Sequence, residues 1–193
     1  MKQKCYYDSG VFAWFIKNPD EPHTYSIKNS EVIRHLSLFT IEETIQNAIT
    51  NRLFDDKSFK EIWEKLDVFT GFFYKVEYNI INLDFEITGL FKQLSESDFD
   101  IKKKNSRKRL DAMDWFHLVS ADRGGCEIFL TNDSGYFFLE KIKSKITFKS
   151  LKKVIIFNPP PNISIFQRMK AFVKNDKESL KYKLTEKATI NLH

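Results

Sequence analysis

Leu110-Asp111-Ala112-Met113-Asp114-Trp115-Phe116-His117-Leu118-Val119-Ser120-Ala121 and, past Gly124-Gly125, Cys126-Glu127-Ile128-Phe129-Leu130-Thr131-Asn132-Asp133 form the stretch on which the fold turns. Residues 110–121 read as a helix, and the glycine pair stops it. Asp114, His117 and Ala121 are spaced i, i+3, i+7, so they share one helix face. Cys126 to Leu130 is a short apolar run of the length and composition of a buried strand. Thr131, Asn132 and Asp133 then lie just beyond the strand's end. A helix that feeds a buried strand ending on an acid is a unit of an α/β protein, in which ligands gather at the C-terminal ends of strands.

The same grammar extends toward both termini. Lys4 to Asp8 reads as a buried strand ending on Asp8, with Ser9-Gly10 turning into a helical segment from Val11 to Lys17. Asn18-Pro19-Asp20-Glu21-Pro22 is a loop. A second strand is expected around His35 to Phe39. Thr40 reads as an N-cap with Glu43 three residues on, a capping box opening a helix to about Leu53. Lys57 to Phe69 and Leu83 to Leu94 read as helices, and Phe73 to Ile81 as a strand. Ser134 to Lys141 reads as helical. Val154 to Phe157 is the last expected strand, closed by Asn158-Pro159-Pro160-Pro161-Asn162. Strands alternating with helices predict a three-layer α/β sandwich, with a central, mostly parallel sheet flanked by helices. The domain is expected over 1–160, with a basic loop at 98–109 ahead of the Asp114 helix. Residues 161–193 are expected to be a basic, partly helical tail carrying Phe166, Met169 and Phe172.

Four acids stand out. Asp8 and Asp133 fall at strand ends, Glu43 opens the helix after the second strand, and Asp114 lies on a helix face. Carboxylates gathered at the mouth of a sheet repel one another and lose solvation. A hard divalent cation among them relieves both costs, because it prefers oxygen ligands. Each acid also has a plainer reading. Asp8 would cap the following helix, Glu43 would serve the capping box, Asp114 would face solvent, and Asp133 would sit in an Asn-Asp-Ser-Gly turn. His117 reads by default as an interior histidine in a supporting role. Glu42 is an alternative to Glu43, and Asp111 to Asp114.

These segments resemble the PIN-domain signature. In that family a helix reading Asp-x-x-(His or apolar)-x-x-x-Ala leads into a strand ending Thr-(Asn, Phe or Arg)-Asp. Tyr6-Tyr7-Asp8-Ser9-Gly10 is similar to its opening strand, and Thr40-Ile41-Glu42-Glu43 to its Thr-x-x-Glu. The likeness runs in order from about residue 4 to residue 157. It implies a Mg²⁺- or Mn²⁺-dependent nuclease, chiefly a ribonuclease, with Asp8, Glu43, Asp114 and Asp133 as catalytic metal ligands. Ser9, Thr131, Asn132 and His117 would support them. It further implies an RNA substrate, the toxin role of a toxin–antitoxin pair with the antitoxin on a separate chain, and a homodimer. The alternative within the same fold is a catalytically inactive module that binds RNA or protein. A phosphatase of the haloacid dehalogenase type also uses an Asp after its first strand. It wants a second Asp two residues later, where this chain has Gly10.

Composition narrows the remaining classes. The 193 residues are 42% apolar and 30% charged, which is a globular balance. No apolar run approaches the ~20 residues of a bilayer span, and the start lacks a signal-peptide core; a cytoplasmic protein is expected. Cys5 and Cys126, far apart in apolar runs, read as core residues and not as a zinc or disulfide framework. The net charge of +5 is compatible with a polyanionic partner. Part of it is concentrated in Lys102, Lys103, Lys104, Arg107, Lys108 and Arg109, expected to contact nucleic-acid phosphates without reading sequence.

Overall fold

The computed structural model describes residues 2–15, 32–50, 78–82, 110–158 and 185–193, with the single positions 67, 71, 170 and 174. Apart from position 67, the segments expected as helices at 57–69 and 83–94 lie outside the described residues, as do positions 73–77 of the expected strand, the basic loop at 98–109 and the apolar positions 166, 169 and 172.

Among the described residues, six strands form one sheet in the order β3-β2-β1-β4-β5-β6: Gln3–Tyr7 (β1), Val32–Ser37 (β2), Asn79–Ile81 (β3), Ile128–Thr131 (β4), Lys153–Phe157 (β5) and Glu186–Asn191 (β6). The pairs from β3 through β5 are parallel, and β6 runs antiparallel to β5. Helices α1 (Ser9–Phe15), α2 (Leu38–Thr50) and α3 (Ala112–Arg123) pack on this sheet. The protein is thus an α/β sandwich around a mostly parallel sheet. Its central strands are buried over nearly their whole length: every residue of β4 is buried, as are Cys5, Tyr6 and Tyr7 of β1. That burial explains why they read as unbroken apolar runs instead of alternating ones.

Aromatic rings knit the sheet to what covers it. Tyr6 stacks on Phe129 of β4 at 5.2 Å between centroids, and Phe129 meets Tyr136 at 5.0 Å. Leu118, Val119 and Ala121 of α3 belong to the same core. Helix α3 starts on a capping box. Asp111 Oδ1 accepts the Met113 and Asp114 amides, and Asp114 Oδ2 accepts the Asp111 amide at 2.8 Å. Its end is set by Gly125, whose φ of +71° favours glycine. From the last turn, Asp122 accepts the amides of Lys149, Ser150 and Leu151. Those three bonds tie the segment before β5 to α3.

Three expectations are corrected. Thr40 is not an N-cap, because α2 begins at Leu38, directly after β2. Ser37 does the capping, its hydroxyl accepting the Thr40 amide, while Thr40 is buried inside the helix. Residues 134–141 open as a 3₁₀ turn over Ser134–Phe138 before α4 (Leu139–Ile142), since Asp133 accepts the Gly135 amide and tightens the turn. The last described residues, 185–193, do not belong to an appended tail. Glu186–Asn191 completes the sheet, and Ile190 and Leu192 are buried in the main core.

The chain passes from β1 to β2 and β3 on one side and returns to β4 on the other. The reversal falls between β1 and β4, where open α/β sheets leave a crevice at their carboxyl ends. Asp8 follows the last residue of β1, and Asp133 stands two residues beyond β4.

Candidate metal centre

Asp8 is placed by the sheet. Its amide donates to Leu130 O at 2.9 Å, continuing the β1–β4 ladder, and its carbonyl accepts the Phe12 amide as α1 begins. Its carboxylate is nearly fully buried. Thr131 Oγ1 donates to Asp8 Oδ2 at 2.6 Å, and the Ser9 amide to Oδ1 at 2.9 Å. Thr131 Oγ1 also accepts the Asp133 amide at 3.0 Å, so one hydroxyl joins both acids of the two central strand ends.

Glu43 arrives from α2 on the turn facing α3. Its Oε2 lies 3.0 Å from His117 Nε2, and the same nitrogen is 3.9 Å from Asp8 Oδ1. One ligand atom each from Asp8, Glu43 and His117 falls within 4.8 Å of the others. The neighbouring Glu42 is exposed. Glu43 is therefore the acid of the pair that faces the site, a consequence of its helical phase.

Behind His117 lies a buried polar hub. Tyr6 Oη is 2.8 Å from His117 Nδ1, 2.6 Å from Ser37 Oγ and 2.8 Å from Thr40 Oγ1. A phenol can donate one bond and accept two, so all three neighbours can be satisfied at once.

Asp114 and Asp133 stand at the same mouth but outside that trio. One oxygen of each is engaged by a backbone amide: Asp114 Oδ2 by Asp111, Asp133 Oδ1 by Gly135. Asp111 itself is exposed and serves as the N-cap of α3. Asn132 lies over Gly10: a Cβ there would sit 2.1 Å from Asn132 Oδ1, so the missing side chain makes room for that amide.

The electrostatics follow from this crowding. Burial pushes the Asp8 carboxyl up, and Glu43 adds to the rise, while His117 and the Thr131 hydroxyl oppose it. Asp114 is pushed up to about 7, first by burial and then by the charges of Asp111, Asp8 and Asp133. Burial works against the charge of His117, yet Glu43, Asp8 and Asp114 outweigh it and hold the imidazole above its ordinary value. Burial also acts against ionised Glu43, but the His117 contact and a Ser9 hydrogen bond win and lower it. Among the described residues, one imidazole meets four acids at this mouth. Two carboxylates and an imidazole converging on one point suit a divalent ion as a donor set.

Of the expected residues, the structure brings together Asp8, Glu43 and His117, with Ser9 and Thr131 bonded to the acids. It sets Asp114 and Asp133 beside them and leaves the basic run undescribed. Tyr6 and Ser37 went unnoticed in the sequence. The available signal was a tyrosine in the part of β1 that reads as buried, Cys5-Tyr6-Tyr7, since a buried hydroxyl needs partners.

No family model matches this chain. It is similar to Centrin-B of Dictyostelium discoideum, 32% identical over 107 residues that cover 55% of this chain and 69% of that protein. On that identity and cover the chain belongs among the distant relatives of Centrin-B, an EF-hand-type protein. The described residues nevertheless form a mostly parallel sheet with flanking helices, which is not an EF-hand pair of helices. An EF-hand loop wants an acid at its first position, Gly at the sixth and Glu at the twelfth. Of the six glycines only Gly89 has an Asp five residues before it, Asp84, and the twelfth position of that frame is Ser95. No stretch of the chain completes the loop.

Proposed function

We propose that this chain is a divalent-metal-dependent nuclease that hydrolyses RNA phosphodiester bonds at the β1–β4 crevice. The observation that carries the reading is the convergence of Asp8, Glu43 and His117 within 4.8 Å, with Asp114 and Asp133 at the same mouth. Mg²⁺ or Mn²⁺ bound there would offset the charge that builds on the phosphoryl oxygens and acidify a water.

The chain's own residues do the positioning. Thr131 and the Ser9 amide fix both oxygens of Asp8. His117 holds the Glu43 carboxylate toward Asp8. Asp114, pushed up to about 7, can hold or release a proton near neutral pH until a cation neutralises the mouth. Lys102, Lys103, Lys104, Arg107, Lys108 and Arg109 would hold the polyanion through its phosphates, which gives affinity without sequence selection. The choice of RNA, the toxin–antitoxin setting with its separate antitoxin chain, and the homodimer rest on the PIN-domain resemblance alone. No helix among the described residues is long and apolar enough to cross a membrane; a cytoplasmic site of action belongs to the same proposal.

The test is cleavage of a labelled RNA by the purified chain with Mn²⁺, with Mg²⁺ and with EDTA, beside Asp8→Asn. Cleavage that needs the metal and vanishes in a variant with an unchanged circular dichroism spectrum supports the reading. An undiminished rate in Asp8→Asn sinks it. Metal-independent inertness of the natural chain leaves the binding module as the better description.

A further inference from the structure

We infer that His117 is itself a ligand of the cation, through Nε2, and that Tyr6 fixes the tautomer that makes this possible, giving a mixed nitrogen–oxygen site that selects Mn²⁺ over Mg²⁺. The inference rests on the metal-centre reading above and adds a nitrogen donor to the acids expected from sequence.

Geometry is the first support. Ligand atoms ~2.1 Å from an octahedral ion lie ~3.0 Å apart along a cis edge. Glu43 Oε2 and His117 Nε2 are 3.0 Å apart, and Asp8 Oδ1 is 3.9 Å from the same nitrogen. The first spacing fits a shared cis edge as it stands, and the second needs Asp8 Oδ1 to close by about 0.9 Å.

The environment of the ring is the second support. A histidine that binds metal through one nitrogen almost always donates from the other, which sets its orientation and tautomer. Here Nδ1 lies 2.8 Å from Tyr6 Oη. Tyr6 can accept that N–H while donating to Ser37 or Thr40, because the two hydroxyls flank it. In the metal-free protein Nε2 donates to Glu43; a cation that displaces this proton would leave the ring with its remaining proton on Nδ1 and the Nε2 lone pair on the ion. The ring is almost fully buried, so that nitrogen does not face bulk water.

The donor type then sets the preference. Mg²⁺ is held by carboxylates and waters and tolerates nitrogen poorly, whereas affinity for imidazole rises along the transition series from Mn²⁺. Two carboxylates with one imidazole therefore suit Mn²⁺ better than the all-oxygen set does.

The experiment uses the full chain loaded with Mn²⁺ in a nitrogen-free buffer and pulsed electron paramagnetic resonance, with natural-abundance and ¹⁵N-histidine protein. The expected result is a ¹⁴N coupling of bound Mn²⁺ that is replaced by ¹⁵N in the labelled sample, and is lost in His117→Gln but kept in His35→Asn. Calorimetry should show Mn²⁺ favoured over Mg²⁺, with that ratio falling roughly tenfold in His117→Gln. Tyr6→Phe should keep the nitrogen coupling while weakening Mn²⁺ about 10-fold or more, as loss of an outer-shell partner does. Bound Mn²⁺ without histidine nitrogen coupling overturns the assignment and leaves the acids as ligands. Mn²⁺ that fails to bind at all overturns the metal centre as well. Where His117→Gln does not fold, a histidine nitrogen coupling kept in His23→Asn, His35→Asn and His193→Asn assigns the ligand to His117, and its loss in any of these overturns the assignment.

Discussion

Replacing Asp114 with Asn should make the metal-free protein more stable, although it removes a residue of the candidate site. The carboxyl sits among Asp111, Asp8 and Asp133 and is pushed from its usual 3.8 up to about 7, chiefly by burial. An acid raised in the folded state binds a proton there that the unfolded chain has already released. Stability is therefore fully present below the unfolded value and falls as pH rises through the window between 3.8 and about 7. That gap converts to about 4 kcal/mol at ~1.4 kcal/mol per pK unit, an upper bound for a side chain that keeps some solvent contact. The carboxamide of the Asp114→Asn variant would still accept the Asp111 amide, but would lose the charged share of the bond, about 1 kcal/mol. The net expectation is a gain on the order of 2 kcal/mol above neutral pH, or roughly 4–8 °C in Tm for a domain of this size. The assay is thermal unfolding of both proteins in EDTA at about pH 8 and about pH 4.5. The gain should shrink toward zero at the acidic end and reverse on adding Mn²⁺. A variant no more stable than the natural chain at the higher pH, or a difference that ignores pH, would refute the electrostatic reasoning.

Three further outcomes follow from single side chains or runs. Tyr6→Phe removes the hydroxyl shared by Ser37, Thr40 and His117 and should cost ~1–3 kcal/mol in urea unfolding, since three buried polar atoms lose a partner. Asp122→Ala releases the amides of Lys149, Ser150 and Leu151. It should cost roughly 3 kcal/mol and speed amide exchange at those three positions before any effect on β1. Alanine at Lys102, Lys103, Lys104, Arg107, Lys108 and Arg109 should flatten the fall of log affinity for RNA with log salt by up to ~0.7 for each phosphate no longer neutralised; an unchanged slope rejects the phosphate-binding role.

The fold was legible where burial was total. Cys126 to Leu130 and Val154 to Phe157 announce strands because a parallel central strand has no polar face to interrupt its apolar run. The edge strand Glu186–Asn191 was not, since only Ile190 along it is buried and a short polar edge looks like any solvated segment. Thr40 misled because Ser-Leu-Phe-Thr offers two hydroxyls that can cap a helix. The start of α2 is decided by β2 ending at Ser37, which is a tertiary fact. In the site, Asp8 and Glu43 could be picked out by their places after strands. The partnership of Glu43 with His117 could not, because it depends on how α2 and α3 face each other across 74 residues of sequence. Asp114 and Asp133 illustrate the remaining ambiguity in physical form. A carboxylate at a helix start has amides to accept, and both have taken one, so a capping role and a cation-facing role draw on the same side chain.

The most direct measurement is anomalous diffraction at the manganese edge from a crystal of the full chain soaked in Mn²⁺. A peak between Asp8, Glu43 and His117, beyond the carboxyl ends of β1 and β4, is the predicted result. A crystal whose bound manganese lies elsewhere, or a mouth whose acids stay empty at saturating metal, would contradict the account.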